Sequence, residues 1–337
     1  MKRLLFLLIA TLLTHSACNK PAPEAPSVKQ PAQPANGYGG AAYTHNDIGK
    51  VNYDEGNNGF WLYYPMSPTP KEAPVIVFNH GYGAWNPACY GSWIRHLVRR
   101  GNIVIFPRYQ ATLVTTPTIY SSNAAAAISQ ALKTIAANPS WPQPIKGKYA
   151  YVGHSYGAVV SANLALTPGT FGVPTARALV LACPGTGNAP QGAAASYRNM
   201  SGKIKMLLIT EEDDNRAGTA FSDMLYSTTA YIAPGNKNYI IHQADNHGSP
   251  VISANHSEAA STDMWFDSGQ RNTVISASFT GTRTDAADYY CYWKLTDALL
   301  DCAFYQKGCD TALGNTLGQQ YTGHWSDGNA VKPLLVK

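Results

Sequence analysis

The sequence predicts an α/β fold: a mostly parallel sheet flanked by helices on both faces, folded as a single domain. Three observations carry that prediction. Short apolar runs alternate with helical patterns of about 10–15 residues, the βαβ rhythm of a parallel sheet. The runs themselves, such as Val75-Ile76-Val77-Phe78 and Ile103-Val104-Ile105-Phe106, are continuously apolar, as strands covered on both faces are. Finally, 45% of the 337 residues are hydrophobic and only 13% are charged. That balance supplies a sizeable core and argues against a coiled coil or a disordered chain.

The elements follow in order. After the turn signal Asn57-Asn58-Gly59, the aromatic run Phe60–Tyr64 fits one arm of a hairpin. Strand Val75–Phe78 comes next, then a helix from about Tyr90 to Arg100, closed by Gly101. A residue just past a helix end often needs the left-handed backbone, which glycine adopts without strain. Ile103–Phe106 is the next strand, expected to stop at Pro107, which has no N–H to donate. Ser122 is the expected cap of an Ala-rich helix reaching about Ala137, with Ile128, Leu132 and Ile135 on its inner face. Strand Tyr149–Val152, a helix from Ser155 to about Leu166, and strands Leu179–Ala182, Ile204–Ile209 and Tyr239–Ile241 complete the alternation. A last helix is expected over about Asp285–Tyr305, and the aromatic-rich C-terminal stretch is expected to pack onto the α/β domain.

The N-terminus is of a different kind. Met1-Lys2-Arg3 and the apolar run Leu4–Leu13 have the form of a signal peptide, too short for a bilayer span of about 20 residues. The run leads into Thr14-His15-Ser16-Ala17-Cys18, which resembles the lipobox of bacterial lipoproteins, with His15 where that motif carries Leu. Cys18 is then the lipidated residue, and an ordinary secreted protein is the alternative. Residues 19–40 are rich in Pro, Ala and Gly and read as a partly extended tether. The expected organisation is a leader over 1–18, a tether over 19–40 and one α/β domain over 41–337. Membrane contact is expected only through the lipid anchor, with the protein at the cell envelope (a bacterial outer membrane) or secreted.

Of six cysteines, Cys302 and Cys309 flank the Gln306-Lys307-Gly308 turn and are placed to bridge. Cys291 and Cys302 lie about 16 Å apart along the expected helix, which is too far. No CxxC or HxxxH spacing occurs, so no metal site is expected. The net charge is +5, but the basic residues are scattered. The densest group, Arg95, Arg99 and Arg100, marks the solvated face of a helix, and nucleic acid is not an expected partner. Oligomeric state is not legible.

The chemistry concentrates at Gly153-His154-Ser155-Tyr156-Gly157, a G-x-S-x-G pattern with a strand expected before it and a helix after it. A serine on so tight a turn is pushed out beyond the sheet edge, and the glycines let neighbouring backbone approach. The helix N-terminus offers N–H groups and partial positive charge to a developing oxyanion. Upstream, Asn79-His80-Gly81-Tyr82-Gly83 follows a strand directly, where a second oxyanion donor belongs. The backbone N–H groups of Tyr82 and Tyr156 are the expected pair. His80 precedes the serine and is expected to support the loop.

On these motifs, and on the acid and histidine turns after them, the chain resembles the α/β-hydrolase superfamily. The resemblance lies near the esterase branch of dienelactone-hydrolase-like proteins, platelet-activating-factor acetylhydrolases, chlorophyllases and cutinase-like polyester hydrolases. The resemblance covers about residues 55–250. It implies an acid and then a histidine after the serine, with no cofactor. His247, in the polar turn Asp245-Asn246-His247-Gly248-Ser249-Pro250, is the expected general base; His256 is the alternative, and His242 is read as structural or surface. Thr210-Glu211-Glu212-Asp213-Asp214 offers four carboxylates. Most must be surface charges, because packing them together in a low-dielectric site would force protonation. Asp214 is the expected acid and Asp213 the competing register.

The implied function is hydrolysis of carboxylic esters through an acyl-enzyme. Ser155 attacks, His247 shuttles the proton and Asp214 holds the imidazole tautomer. The rivals are a peptidase or acyltransferase on the same fold, and a non-catalytic surface-binding lipoprotein that meets glycan through Tyr289-Tyr290-Cys291-Tyr292-Trp293. The last predicts a ruined triad position, and none is evident. Short acyl, lipid, polymer and polysaccharide esters all fit the motifs.

Overall fold

In the computed structural model, which describes residues 27–54, 56–187 and 191–337, an antiparallel pair comes first: β1 (Asp47–Tyr53) and β2 (Gly59–Met66). Then follow β3 (Glu72–Asn79), α1 (Gly91–Arg99), β4 (Ile103–Arg108), α2 (Tyr120–Ala136), β5 (Gln143–His154) and α3 (Tyr156–Leu166). The short α4 (Pro168–Phe171), β6 (Ala178–Ala182), β7 (Lys205–Glu211), α5 (Ala220–Thr228) and β8 (Lys237–His242) continue the alternation. Last come α6 (Thr273–Gly281), α7 (Lys294–Tyr305, entered through a π-helical turn at Asp288–Trp293), α8 (Cys309–Leu313), α9 (Leu317–Gln320) and the two-residue β9 (Leu335–Val336).

These strands form one sheet in the order β1-β2-β4-β3-β5-β6-β7-β8-β9. The six from β4 to β8 are mutually parallel, β2 and β9 run antiparallel to them at the two sides, and β1 pairs antiparallel with β2. The continuous apolar runs follow from two covered faces, because successive side chains of a strand point opposite ways. Ile76 and Phe78 join Val104 and Phe106 under Trp93 and Leu97 of α1 and Leu295 and Leu299 of α7. Val75 and Val77 join Ile103 and Ile105 on the other face, under Ile128 of α2 and Val159 of α3. Parallel strands share one carboxyl edge, so the loops after β3, β5, β7 and β8 gather there, where ligands bind in sheets of this kind.

Several expectations shift. β4 continues through Pro107, which pairs with Phe60 of β2 beyond the last β3–β4 pair at Ile105, so no parallel ladder bond is lost there. Helix α2 starts at Tyr120, and the Ser122 hydroxyl donates to the Ile119 carbonyl instead of capping. The tether reading does not hold for residues 27–40, which lie along the domain. The Gln30 side chain donates to the Val251 carbonyl (2.9 Å), Gly39 N–H donates to Asp297 (2.9 Å), and the Tyr290 hydroxyl donates to the Ala32 carbonyl. Extended Pro-rich backbone has no internal hydrogen bonds, so its polar groups are available to a neighbouring surface. The leader, Cys18 and the rest of the tether lie outside the described residues.

The C-terminal stretch does pack onto the sheet. β9 adds to β8, α7 covers one face, and a Cys302–Cys309 disulfide (Cα–Cα 4.7 Å) joins α7 to α8. Cys89, Cys183 and Cys291 are buried free thiols. Among the described residues, no helix is long and apolar enough to cross a membrane.

Candidate active site

Ser155 sits between the end of β5 and the start of α3 with φ 55° and ψ −124°, a conformation that costs a non-glycine residue about 1–3 kcal/mol. Its N–H donates to the Ala182 carbonyl (2.8 Å) and its carbonyl accepts from Ala158 N–H (3.0 Å), which anchor the turn on both sides. The glycines are sterically required. A Cβ on Gly153 would fall on the Gly157 carbonyl oxygen, and one on Gly157 would fall on that of Asn79.

The four acids after β7 separate cleanly. Glu211 is buried and accepts from His242 Nδ1 (2.6 Å) and from the Tyr292 hydroxyl, a structural pairing beneath the site. That charge raises the His242 pKa against the burial that would lower it. Glu212 and Asp213 are exposed. Asp214, with 1% of its side chain accessible, accepts from His256 Nδ1 (2.8 Å) and from the N–H groups of Arg216 and Ala217 (both 2.9 Å). Burial by itself raises its pKa, but those hydrogen bonds outweigh the burial and hold it down to about 2. An ionised Asp214 only accepts, so His256 carries its proton on Nδ1, and Nε2 accepts from the Ser155 hydroxyl (2.9 Å).

The structure therefore corrects the histidine. His247 is not at the site: its ring is 40% exposed and pairs through Nε2 with Asp327 (2.7 Å). The reason lies in the chain path after β8. Asp245 and Ile252 exchange both backbone hydrogen bonds (2.8 and 2.9 Å), which closes residues 246–251 into a surface excursion. The chain then returns along the acid turn, with Asp213 N–H donating to the Ala254 carbonyl (2.8 Å), and delivers His256 between Asp214 and Ser155. The run of turn formers Asp245-Asn246-His247-Gly248-Ser249-Pro250 is the sequence signal for such an excursion.

The expected oxyanion donors border the same cavity as Ser155. Gly81 N–H donates to the Tyr90 hydroxyl (2.9 Å) and Gly83 N–H to Gln110 (2.8 Å), while no described group accepts from the intervening N–H of Tyr82. Tyr156 N–H is the first of α3, at the positive end of the helix dipole. His80 supports this loop. Its Nδ1 donates to the Gly81 carbonyl (2.8 Å), its ring stacks on Tyr109, and burial pushes its pKa down to about 3.

The cavity holds about 720 Å³, and its far wall is α6, through Val274, Ala277, Ser278 and Gly281. Asn272 ties that wall to the loop after β3: its Oδ1 caps α6 at Ile275 N–H (2.9 Å) and its Nδ2 donates to the Gly83 carbonyl (2.7 Å). The sequence reading missed α6. Its Thr-, Ser- and Ala-rich pattern shows little apolar periodicity, because much of its inner face meets the cavity instead of a packed core.

His154, Cys183 and His256 place donor atoms within 4.8 Å of one another. They are poorly disposed toward a metal: both His154 nitrogens are hydrogen-bonded, and burial drives the Cys183 thiol well above its usual pKa. Set against known proteins, the chain matches no protein-family model and no curated protein.

Proposed function

We propose that this protein is a serine hydrolase of the α/β-hydrolase fold that cleaves carboxylic esters through an acyl-enzyme. The hydrogen-bonded chain Ser155 Oγ–His256–Asp214 carries the reading, because each member has the partner and protonation that its role needs. The sheet order, the antiparallel β2 and the serine directly after β5 support it. Ser155 gives its proton to His256 Nε2 as its oxygen attacks the carbonyl, and the oxyanion forms beside the N–H groups of Tyr82 and Tyr156. His256 then protonates the leaving alkoxide. Water repeats the sequence on the acyl-enzyme, and Ser155 is released as it began.

The cavity volume suits a small or medium ligand, and Ala84, Val274 and Ala277 offer an apolar wall to an acyl or alkyl chain. The leader and Cys18 support export with a lipid anchor. The test is a rate series on p-nitrophenyl esters of increasing acyl length, with a peptide p-nitroanilide alongside, for wild type and Ser155→Ala. The variant should fold and lose about 10⁴- to 10⁶-fold in kcat. Full activity in folded Ser155→Ala sinks the serine mechanism, and cleavage of the anilide alone favours a peptidase.

A further inference from the structure

We propose that Tyr90 and His154 form a hydrogen-bonded strut joining the oxyanion loop, the nucleophile turn and the histidine loop, with His154 a positioning residue for His256. The proposal rests on the triad reading above and adds a residue pair to it.

The strut has four members, and every donor is forced. His154 Nε2 lies 2.8 Å from the backbone carbonyl of His256, which can only accept, so Nε2 carries a proton. The ring is neutral, because burial, reinforced by the adjacent His256, pushes its pKa down to about 3. A neutral imidazole has one N–H, so Nδ1 is an acceptor, and the Tyr90 hydroxyl 2.9 Å away must donate to it. The Tyr90 oxygen in turn accepts from Gly81 N–H (2.9 Å), one residue before the expected oxyanion donor. One directional chain therefore runs Gly81 N–H to Tyr90 O–H to His154 to His256 C=O.

Its surroundings leave it little play. Tyr90 and His154 are buried, and their rings meet edge to face at 5.7 Å. Even an added Cβ at Gly81 would press on His154 Nδ1, the Tyr90 hydroxyl and Ser155 Cβ at 3.2–3.3 Å. His256 needs such support because it stands in a loop and not on a strand. Asp214 holds its ring, and Asp213 N–H holds the backbone two residues earlier. The strut holds the carbonyl of His256 itself, tying the base to the turn that presents the nucleophile. Misplacement of a catalytic group by about 1 Å can cost roughly 100-fold in rate.

The test compares Tyr90→Phe, His154→Asn, His154→Gln and the double variant Tyr90→Phe/His154→Asn. Readouts are kcat and KM on a p-nitrophenyl ester, the rate of Ser155 labelling by a fluorophosphonate, and the thermal midpoint. The shorter Asn cannot reach the His256 carbonyl, so kcat should fall about 30- to 100-fold with KM within about threefold. The Gln amide nitrogen reaches the Nε2 position and should bring kcat back to within about fivefold of wild type. Tyr90→Phe should cost about tenfold. The double variant should match His154→Asn within about twofold, because a strut already cut cannot be cut again.

The proposal is overturned if His154→Asn stays within twofold of wild type, if Gln and Asn are equally impaired, or if the two losses multiply. Should His154→Asn not fold, the labelling rate of Tyr90→Phe decides: an unchanged rate overturns the strut. Failure of the triad reading looks different, because wild type would then hydrolyse no ester or Ser155→Ala would remain active.

Discussion

Replacing His256 with Gln, beside the same change at His247, tests the central correction that the fold makes. The Ser155 hydroxyl has its proton acceptor at His256 Nε2, 2.9 Å away, and His256 Nδ1 is held by Asp214 at 2.8 Å. A Gln there leaves the serine without a base and Asp214 without its imidazole. Loss of a triad member costs about 10⁴- to 10⁶-fold in kcat, which is about 5–8 kcal/mol of transition-state stabilisation at 1.36 kcal/mol per tenfold. His247 pairs with Asp327 at the surface, where its ring is 40% exposed, so His247→Gln should leave kcat within about twofold. Initial rates on a chromogenic ester, normalised to folded protein by thermal melts, give the comparison. If His256→Gln retained more than about a tenth of wild-type kcat, or His247→Gln lost about 10³-fold, the assignment of the base would be refuted.

Two further predictions concern acids. Asp214→Asn should lower kcat by up to about 10⁴-fold through loss of the held tautomer, while Asp213→Asn, at an exposed position, should change it less than about tenfold; steady-state rates that rank them the other way would overturn the register. Glu258, two residues after His256, has its pKa raised to about 8 by burial and by the charges of Asp285 and Glu211, against a hydrogen bond from Ser253. A carboxyl raised in the folded state binds more protons there than in the unfolded chain, so its contribution is present below the unfolded value near 4.5 and is lost as pH rises toward about 8. Thermal melts of wild type should therefore decline over that window, and Glu258→Gln should flatten the decline; parallel curves would show that Glu258 does not titrate there.

Much of the architecture is written locally. Val75–Phe78 and Ile103–Phe106 show their burial on both faces without any knowledge of their neighbours, because a strand between two helical layers has no polar side to display. Gly153 and Gly157 mark the Ser155 turn because backbone passes where a Cβ would be. Asp214 was reachable by counting three residues on from Glu211, as the resemblance suggests, but the expectation that most of the four acids are surface charges misses Glu211, which is buried against His242. Local pattern was less informative at Ser122, where a capping residue type stands two residues inside the helix and donates backward.

What the sequence determines by itself is what one segment's own side chains dictate: strand and helix periodicity, the strained serine turn, the Cys302–Cys309 closure across a short turn. The histidine, the α6 wall, the packing of residues 27–40 and the Tyr90–His154 strut were decided only by the tertiary structure. Each depends on where one segment meets another distant in the chain. His247 and His256 both follow β8 in polar surroundings, and the turn formers around His247 mark an excursion without saying which histidine meets Asp214. The Asp245–Ile252 backbone pair removes the first to the surface, and the Asp213–Ala254 bond delivers the second to Asp214. Backbone hydrogen bonds of that kind carry no residue signature, since every non-proline residue owns the same donor and acceptor.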